Sequence, residues 1–224
     1  MEKKLYKTVI VIPAYNEERF IEKTIREIKS LYDIKVIVID DGSVDSTYEK
    51  AKSCADIVIK HEKNRGKGKS ILDGIIRAHE ISKYAILMDG DYQHSPSDIA
   101  KFLATEYENF DIIIGRRDMS LKNMPILRYL TNRTTTLIVS LLAGKKVYDS
   151  QSGFRMVKIN SFLKIPIRTF RFQMESEMLI KAGIMKQRIG HVNIRTVYGD
   201  EVSKIRPLRD TLRFIKMALE ALWV

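Results

Sequence analysis

Short hydrophobic strands alternate with amphipathic helices through the first half of this 224-residue chain, and no other feature limits the possible folds as strongly. The strand-like runs are rich in Val and Ile, and the segments between them carry apolar residues at helical spacing. This alternation predicts an α/β fold, with a mostly parallel, Rossmann-like sheet flanked by helices on both faces. The predicted strands are residues 8–12, 36–39, 57–59, 84–88 and 111–114.

Start and stop signals predict helices between these strands and after them. Asn16 is the predicted N-cap of the first helix, which begins at Glu17. Another helix follows the glycines of residues 66–68, and a further one runs from about 96 to 108. The second half is less regular, with a polar turn at 149–155 and helices at 125–144, 173–183 and 207–224, the last of them amphipathic.

Composition indicates a folded protein. Hydrophobic residues make up 45% of the chain and charged residues 30%, which excludes a disordered or collagen-like chain. The length favours a single domain covering residues 1–224. A single cysteine, Cys54, excludes an intramolecular disulfide and favours a reducing compartment. The N-terminus lacks the apolar core of a signal peptide, and the longest central apolar stretch, 137–143, is too short to span a bilayer.

The net charge of +11 comes entirely from the second half of the chain. Residues 1–115 contain 18 basic and 20 acidic residues, whereas residues 116–224 contain 21 basic and 8 acidic ones. A basic half of this kind indicates an anionic partner, and the two candidates are nucleic-acid phosphates and anionic lipid head groups. The two halves are therefore expected to bind different partners.

The stretch 89–91, Asp-Gly-Asp, follows the fourth predicted strand and is a candidate metal site. Two carboxylates one residue apart can share a hard divalent cation and leave positions open for phosphate oxygens. Gln93 can add a carbonyl oxygen to this set. A turn whose acids cap the following helix is the alternative interpretation, and these residues alone do not separate the two.

Two further polar clusters follow predicted strands. The stretch 40–43, DDGS in one-letter code, can accept hydrogen bonds from a base or ribose, or form a tight turn and helix cap. The basic loop 65–70 is not a P-loop, because Lys63 occupies the position of the first glycine, but it suits phosphate at a helix N-terminus. A solvated basic loop is the alternative. Because ligands bind beyond the carboxyl ends of parallel strands, these clusters together predict one site.

Taken in order, these clusters resemble family 2 glycosyltransferases of the GT-A fold. Within that family, the chain is most similar to dolichol-phosphate mannose synthases and related polyprenyl-phosphate glycosyltransferases. The resemblance covers about residues 5–205. The matching stretches are 9–18 (VIVIPAYNEE), 38–47 (VIDDGSVDST), 64–68 (NRGKG), 87–93 (LMDGDYQ), 114–117 (IGRR), 149–155 (DSQSGFR) and 175–178 (ESEM).

The resemblance implies an inverting hexosyltransferase that uses a nucleotide-diphospho-sugar, of the GDP-mannose or UDP-glucose type, with Mg²⁺ or Mn²⁺ as cofactor. The residues it assigns to the nucleotide-sugar are Pro13, Tyr15, Glu17, Asp41, Lys67, Asp89 and Asp91. Those assigned to the metal are Asp89, Asp91 and Gln93. Those assigned to the acceptor are Arg117, Arg133, Ser152, Arg155 and Lys204. Those assigned to catalysis are Asp91, Arg117, Arg133 and Asp149.

The resemblance also divides the single domain into three parts. Residues 1–115 would form the nucleotide-sugar and metal half, 116–205 the acceptor half, and 206–224 an amphipathic C-terminal helix. The chain departs from the family pattern around Lys204, where Glu201 stands at a position that is often Gly and Tyr198 at one that is often Arg. The register of this last loop is therefore open.

The basic second half favours a phosphate acceptor over a neutral sugar acceptor. Arg binds phosphate through its planar fork, and a phosphate monoester is already anionic, so it needs no general base. A hydroxyl acceptor would instead require a positioned carboxylate such as Asp149. The expected reaction is metal-dependent sugar transfer to a polyprenyl (dolichyl) phosphate at a membrane surface, and transfer to a sugar hydroxyl in polysaccharide or glycolipid synthesis is the alternative.

A lipid-tailed acceptor predicts a peripheral protein at the cytoplasmic face of a membrane. Helices 125–144 and 207–224 combine apolar faces with nearby cations, which is typical of interfacial helices. Packing of these helices into the core or a homodimer is the alternative, and a separate membrane-anchor subunit is also compatible. A nucleic-acid-binding protein is disfavoured, because the 10 Tyr and 8 Phe show no stacking-motif spacing.

Overall fold

A computed structural model describes residues 7–118, 126–171, 173–195 and 207–220 of the chain. The strands in these residues are β1 (Thr8–Ala14), β2 (Val36–Asp40), β3 (Ile57–Lys60), β4 (Tyr84–Leu87), β5 (Ile112–Arg117), β6 (Arg155–Lys158) and β7 (Ile189–Ile194). They form one sheet in the order β3-β2-β1-β4-β6-β5-β7. Neighbouring strands are parallel, except that β6 runs antiparallel to both β4 and β5.

Helices cover both faces of this sheet. They are α1 (Ile21–Leu31), α2 (Thr47–Lys52), α3 (Lys67–His79), α4 (Ile99–Ala104), α5 (Ile126–Ala143), α6 (Ile159–Leu163), α7 (Met174–Ile184) and α8 (Pro207–Glu220). Helices α3, α5, α6 and α7 contribute buried side chains to the hydrophobic cluster on one face, and α1, α2 and α4 to the cluster on the other. Strand side chains alternate between the faces, so Val11 lies in the first cluster and Ile12 in the second.

The predicted α/β architecture with a mostly parallel sheet is confirmed. All five predicted strands are present, with slightly different ends. The sequence did not predict the other two strands, β6 and β7. The predicted polar turn at 149–155 extends only to Phe154, because Arg155 is the first residue of β6. Strand β7 reads IGHVNI, where Gly190 and two polar residues obscure the hydrophobic run that marks the other strands.

Helix α1 begins at Ile21 and not at Glu17, so the prediction of its start is wrong. Asn16 does not cap the helix, because it adopts a positive φ of 54° and its side-chain oxygen accepts the backbone N–H of Val44. This bond holds residue 16 in a turn against the loop after β2. The helix predicted for residues 96–108 is also shorter, and consists of α4 between two 3-10 turns, Pro96–Asp98 and Tyr107–Asn109.

The predicted C-terminal amphipathic helix corresponds to α8, which begins at Pro207 as expected. Met217 and Ala218 of α8 are buried, while Ile215 and Leu219 are exposed. Met217 belongs to the same hydrophobic cluster as α5 and α7, so one face of α8 packs against the domain. Among the helices in the described ranges, none is long and apolar enough to cross a lipid bilayer.

Candidate active site

The candidate site lies at the carboxyl ends of β1, β2, β4 and β5, where the predicted polar clusters follow the strands. Pro13 and Ala14 end β1, and Ala14 is paired in register with Asp40 at the end of β2. Asp89 follows β4 by two residues, and Arg117 is the last residue of β5. The edge of the sheet therefore brings together segments that are far apart in sequence, as expected for a ligand site in this type of fold.

Lys67 is held between two carboxylates at the centre of this edge. Its ammonium nitrogen lies 2.7 Å from Asp89 Oδ1 and 2.7 Å from Glu175 Oε1, at the start of α7. Gly153 passes directly over the pair, because a Cβ built on it would lie 2.6 Å from Asp89 Oδ2 and 2.9 Å from Lys67 Nζ. A residue other than glycine at position 153 would therefore displace one of the two charged groups.

The two charged partners stabilise each other's ionised forms. Burial lowers the pKa of Lys67, but the facing carboxylates of Asp89 and Glu175 outweigh this and raise it well above its usual range. Burial raises the pKa of Asp89, but the Lys67 ammonium outweighs this effect and the net shift is downward. Both groups are therefore charged at neutral pH.

The predicted metal ligands lie in the loop after β4. Asp91 is partly exposed, and its Oδ1 accepts the backbone N–H of Gln93 at 3.0 Å. His94 is buried, its Nε2 lies 3.9 Å from Asp89 Oδ2, and burial lowers its pKa to about 4, so the ring is neutral at pH 7.

The donor set of this loop fits Mg²⁺ or Mn²⁺. No group of three or more His, Cys, Asp or Glu side chains in the described residues forms a closed metal cage. Mg²⁺ is commonly held by one or two carboxylates together with substrate phosphates, so the two acids of this loop match its chemistry. Asp91 is partly exposed, whereas Asp89 is paired with the Lys67 ammonium.

Arg117 and Asp149 form a bidentate ion pair at the end of β5. Arg117 donates from Nε to Asp149 Oδ2 at 2.7 Å and from Nη2 to Oδ1 at 3.0 Å. Asp149 is fully buried and also accepts the backbone N–H of Gln151 at 3.1 Å. Its carboxylate therefore orients Arg117, and to act as a base it would have to give up these bonds.

Arg155 is a buried residue that holds the loop before β6 in shape. It is 1% exposed, and its three donor nitrogens bond to the backbone carbonyls of Ser150, Ser152 and Glu175 at 2.7–2.8 Å. The guanidinium therefore points into the protein, and direct acceptor binding by Arg155 would require breaking these bonds. The Ser152 hydroxyl is buried next to it and has no hydrogen-bond partner among the described residues.

The carboxylate of Asp41 is used to hold the basic loop. Its two oxygens accept the backbone N–H groups of Arg65 and Gly66 at 2.9 and 2.8 Å. Oδ1 also lies 2.7 Å from Nδ1 of the buried His61, whose Nε2 lies 3.1 Å from Asp73. Contact between Asp41 and a nucleotide stays a prediction, and the bonds seen here position the loop before α3.

The neighbouring Asp40 belongs to the predicted cluster 40–43 but was not assigned a role of its own. Its carboxyl group is fully buried, and Oδ2 has no hydrogen-bond partner among the described residues, while Oδ1 accepts the backbone N–H of Ser43. Glu175 was likewise given no role, although it lies in a matched motif. Alternation along β2 signals that Asp40 and Asp41 point to opposite faces, but not which of them faces a ligand.

The remaining predicted residues fall into three groups. Pro13 is buried within β1, while Tyr15 and Glu17 follow it in the turn before α1, with Tyr15 36% exposed. Arg133 is exposed on α5, with its guanidinium carbon 5.7 Å from the centre of the Tyr129 ring. Lys204 lies outside the described residues.

Comparison with known proteins identifies the class of protein to which this fold belongs. Residues 9–174 match the model of glycosyl transferase family 2, which covers most of the chain. The chain therefore belongs to glycosyl transferase family 2, and the resemblance seen in the sequence is confirmed.

Relatives and solved structures agree with this assignment. The chain is 34% identical over 214 residues to the UDP-N-acetylglucosamine–dolichyl-phosphate N-acetylglucosaminyltransferase of Methanococcus voltae, covering 84% of this chain and 85% of the relative. It is 27% identical to the dolichol-phosphate mannosyltransferase of Pyrococcus furiosus, covering 80% and 54% of the two chains. The fold matches glucosyl-3-phosphoglycerate synthase from Mycobacterium tuberculosis, in complex with Mn²⁺, UDP-glucose and phosphoglyceric acid, with a TM-score of 0.75 at 20% identity over 97% of this chain and 80% of that one.

Proposed function

We propose that this glycosyltransferase moves a sugar from a nucleotide-diphospho-sugar to a polyprenyl phosphate, with Mg²⁺ or Mn²⁺ as cofactor, at the cytoplasmic face of a membrane. The observation that carries this proposal is the outer face of α5, where an exposed arginine lies within a row of exposed aliphatic side chains. The names of the Methanococcus voltae and Pyrococcus furiosus relatives, both of which act on dolichyl phosphate, support the same acceptor class.

The aliphatic row, here called the α5 stripe, consists of Ile126, Leu130, Leu137 and Leu141, which are 67%, 54%, 60% and 71% exposed. With Arg133 between them, these positions are three or four residues apart and so lie on one face of the helix. Leucine side chains this exposed are unfavourable in water but favourable at the boundary of a bilayer. Arg133 on the same face is suited to a lipid-linked phosphate at head-group depth.

The inner side of α5 links this face to the candidate active site. The hydroxyl of Thr136 lies 3.1 Å from that of Ser150 and accepts the Ser150 backbone N–H at 3.2 Å. Ser150 directly follows Asp149, whose carboxylate orients Arg117. We therefore assign Arg117 and Arg133 to the acceptor phosphate. Asp149 and Arg155 are assigned to positioning the loop before β6, from which Asp149 orients Arg117.

On the donor side, we assign Asp91 and Gln93 to the divalent cation, together with Asp89 when it changes partner from the Lys67 ammonium. Bound together with the diphosphate, such a cation acts as a Lewis acid that offsets the charge of the leaving group. Lys67 and the N-terminus of α3 supply further positive potential next to it. A phosphate acceptor attacks as an anion, so no residue of the chain has to remove a proton.

The proposal is tested in two stages. A thermal-shift panel of UDP- and GDP-sugars with Mn²⁺ identifies the donor, because tight binding raises the melting temperature. Product formation from that donor is then measured with a polyprenyl phosphate and with free sugars as acceptors. Transfer to the lipid phosphate is the expected result, whereas product formed only on sugar hydroxyls would refute the phosphate acceptor.

A further inference from the structure

The charged side chains around Lys67 include cations and carboxylates in equal number. Three carboxylates, those of Asp89, Asp149 and Glu175, interact electrostatically with three cations, those of Lys67, Arg117 and Arg155. The formal charge of these six groups is therefore zero, and Asp91, in the same loop as Asp89, adds one negative charge. A divalent cation entering alone would leave one positive charge uncompensated, whereas one that enters with the two negative charges of a nucleotide-diphospho-sugar would not.

Lys67 occupies a position in which it competes for the first carboxylate of the metal loop. Its ammonium is 2.7 Å from Asp89 Oδ1, and Gly153 covers the pair, so Asp89 has little freedom to turn elsewhere. Glu175 gives Lys67 a second carboxylate at the same distance, so the ammonium remains paired when Asp89 changes partner. These contacts are stronger than those of an exposed pair, because the side chains are only 9–24% exposed.

We infer that Lys67 is an internal counter-cation that prevents Asp89 from holding a divalent cation until a nucleoside diphosphate is bound. The inference rests on the proposed donor site and adds an order of binding to it: the metal binds with the nucleotide and not before it. Glu175 is the positioning residue that keeps Lys67 in place.

Removal of the ammonium tests this inference. Binding of Mn²⁺ without nucleotide is measured from the loss of the free-ion electron paramagnetic resonance signal, for the wild type and for Lys67→Met. We expect the variant to bind Mn²⁺ at least about tenfold more tightly, because a repelling charge is gone and Asp89 is released. Lys69→Met is the matched control, since the Lys69 ammonium contacts Asp73 Oδ1 at 2.5 Å and not the metal loop, and its affinity for Mn²⁺ should equal that of the wild type.

A second variant covers the case in which unpaired carboxylates prevent Lys67→Met from folding. Lys67→Met/Glu175→Gln removes one cation and one anion, keeps the cluster neutral, and still releases Asp89, so it should also bind Mn²⁺ more tightly than the wild type. Unchanged affinity in either folded variant would overturn the inference. So would tight, nucleotide-independent binding of Mn²⁺ by the wild-type protein, which needs no variant at all.

These outcomes are separate from the test of the proposed function. Absence of sugar transfer to any acceptor would refute that function even if the Mn²⁺ affinities changed as expected. Conversely, normal transfer by the wild-type protein, together with equal Mn²⁺ affinity in all variants, would leave the function intact and overturn the role of Lys67.

Discussion

The two sides of the candidate active site use charged residues in different ways. On the side formed by the first half of the chain, Asp40 has a buried oxygen without a partner among the described residues, and Asp91 is partly exposed. On the side formed by the second half, Asp149 and Arg155 are buried and bonded to protein groups. The first side therefore combines groups that suit a ligand with carboxylates bonded inside the protein, those of Asp41 and Asp89, whereas Asp149 and Arg155 on the other side both fix the shape of a loop.

This difference changes the meaning of the basic second half. Its positive charge suggested a surface for an anionic acceptor, yet Arg155 and Lys181 are buried and bonded inside the protein. Arg133, Lys145 and Lys146 are exposed and belong to the part of the excess that an acceptor or a membrane can reach. A count of charges along a sequence does not separate these two classes.

Loss of Asp91 should have the largest effect, because it removes the carboxylate that we propose as the main ligand of the divalent cation. We expect Asp91→Ala to lower the rate of sugar transfer by at least about a thousandfold, the equivalent of several kcal/mol of Lewis-acid stabilisation. The rate is measured from release of the nucleoside diphosphate. Asp33→Ala, which removes an exposed carboxylate elsewhere, is the control, and full activity of Asp91→Ala would contradict the metal assignment.

Arg155→Met tests whether the second side is a scaffold. Its loss leaves three buried carbonyl groups without their donors, so we expect the free energy of unfolding to fall by about 3–5 kcal/mol. Urea denaturation measures this change. Arg133→Met should alter the free energy of unfolding by less than about 0.5 kcal/mol, because Arg133 is exposed, and should instead raise the KM for the acceptor. Equal stability of the two variants would remove the distinction between the sides.

The sequence predicted the framework of the fold because its local signals agree with the tertiary structure. Five strands are short hydrophobic runs, most of them rich in Val and Ile, and the structure contains all five. Strand β7 was not predicted because Gly190 and His191 interrupt its hydrophobic pattern. Strand β6 was not predicted because Arg155 fits the pattern of a polar turn. Both belong to the second half, where the sheet departs from a regular β-α alternation.

The sequence predicted which segments form the candidate site, but not which of their side chains contact each other. Motifs identified Lys67 and Asp89, yet the Lys67–Glu175 contact joins residues 108 positions apart, and no spacing rule encodes such a distance. Tertiary structure also determines whether Asp40 or Asp41 can contact a ligand, because the backbone N–H groups that bind Asp41 come from residues 65 and 66. Sequence reasoning finds candidate groups, and packing determines which of them remain available.

Glu177 connects α7, in the second half of the chain, to the loop that contacts the start of α3. Its substitution should have an effect of intermediate size. Its carboxylate accepts hydrogen bonds from the backbone N–H groups of Arg168 and Thr169 and from the ammonium of Lys181. These bonds hold the loop that contains Phe170, and the carbonyl of Phe170 accepts the backbone N–H of Gly68 at the start of α3. We expect Glu177→Gln to lower the free energy of unfolding by about 2 kcal/mol at pH 7, because Lys181 loses its buried partner.

The pH dependence of this effect follows from the carboxyl group. Burial raises the pKa of Glu177, but hydrogen bonds from Lys181 and Thr169 outweigh it and lower the pKa below its ordinary value of 4.5. A lowered pKa in the folded state contributes stability above pH 4.5, and that contribution is lost as the pH falls through the folded-state value. The difference between wild type and Glu177→Gln should therefore shrink below pH 4.5, and a constant difference would contradict the role of the charge.

Polar substitutions in the α5 stripe should have the smallest effect, and one confined to membrane binding. Leu137→Gln/Leu141→Gln removes two exposed aliphatic side chains, so we expect affinity for anionic phospholipid vesicles to fall by about tenfold, measured by co-sedimentation. The free energy of unfolding should not fall, because neither side chain is buried in the folded protein. Leu31→Gln is the matched control, since Leu31 is 50% exposed on α1, and its vesicle binding should be unchanged. If both variants bound vesicles as the wild type does, the acceptor side would not be a membrane-facing surface, and transfer to a soluble acceptor would become the better interpretation of the site.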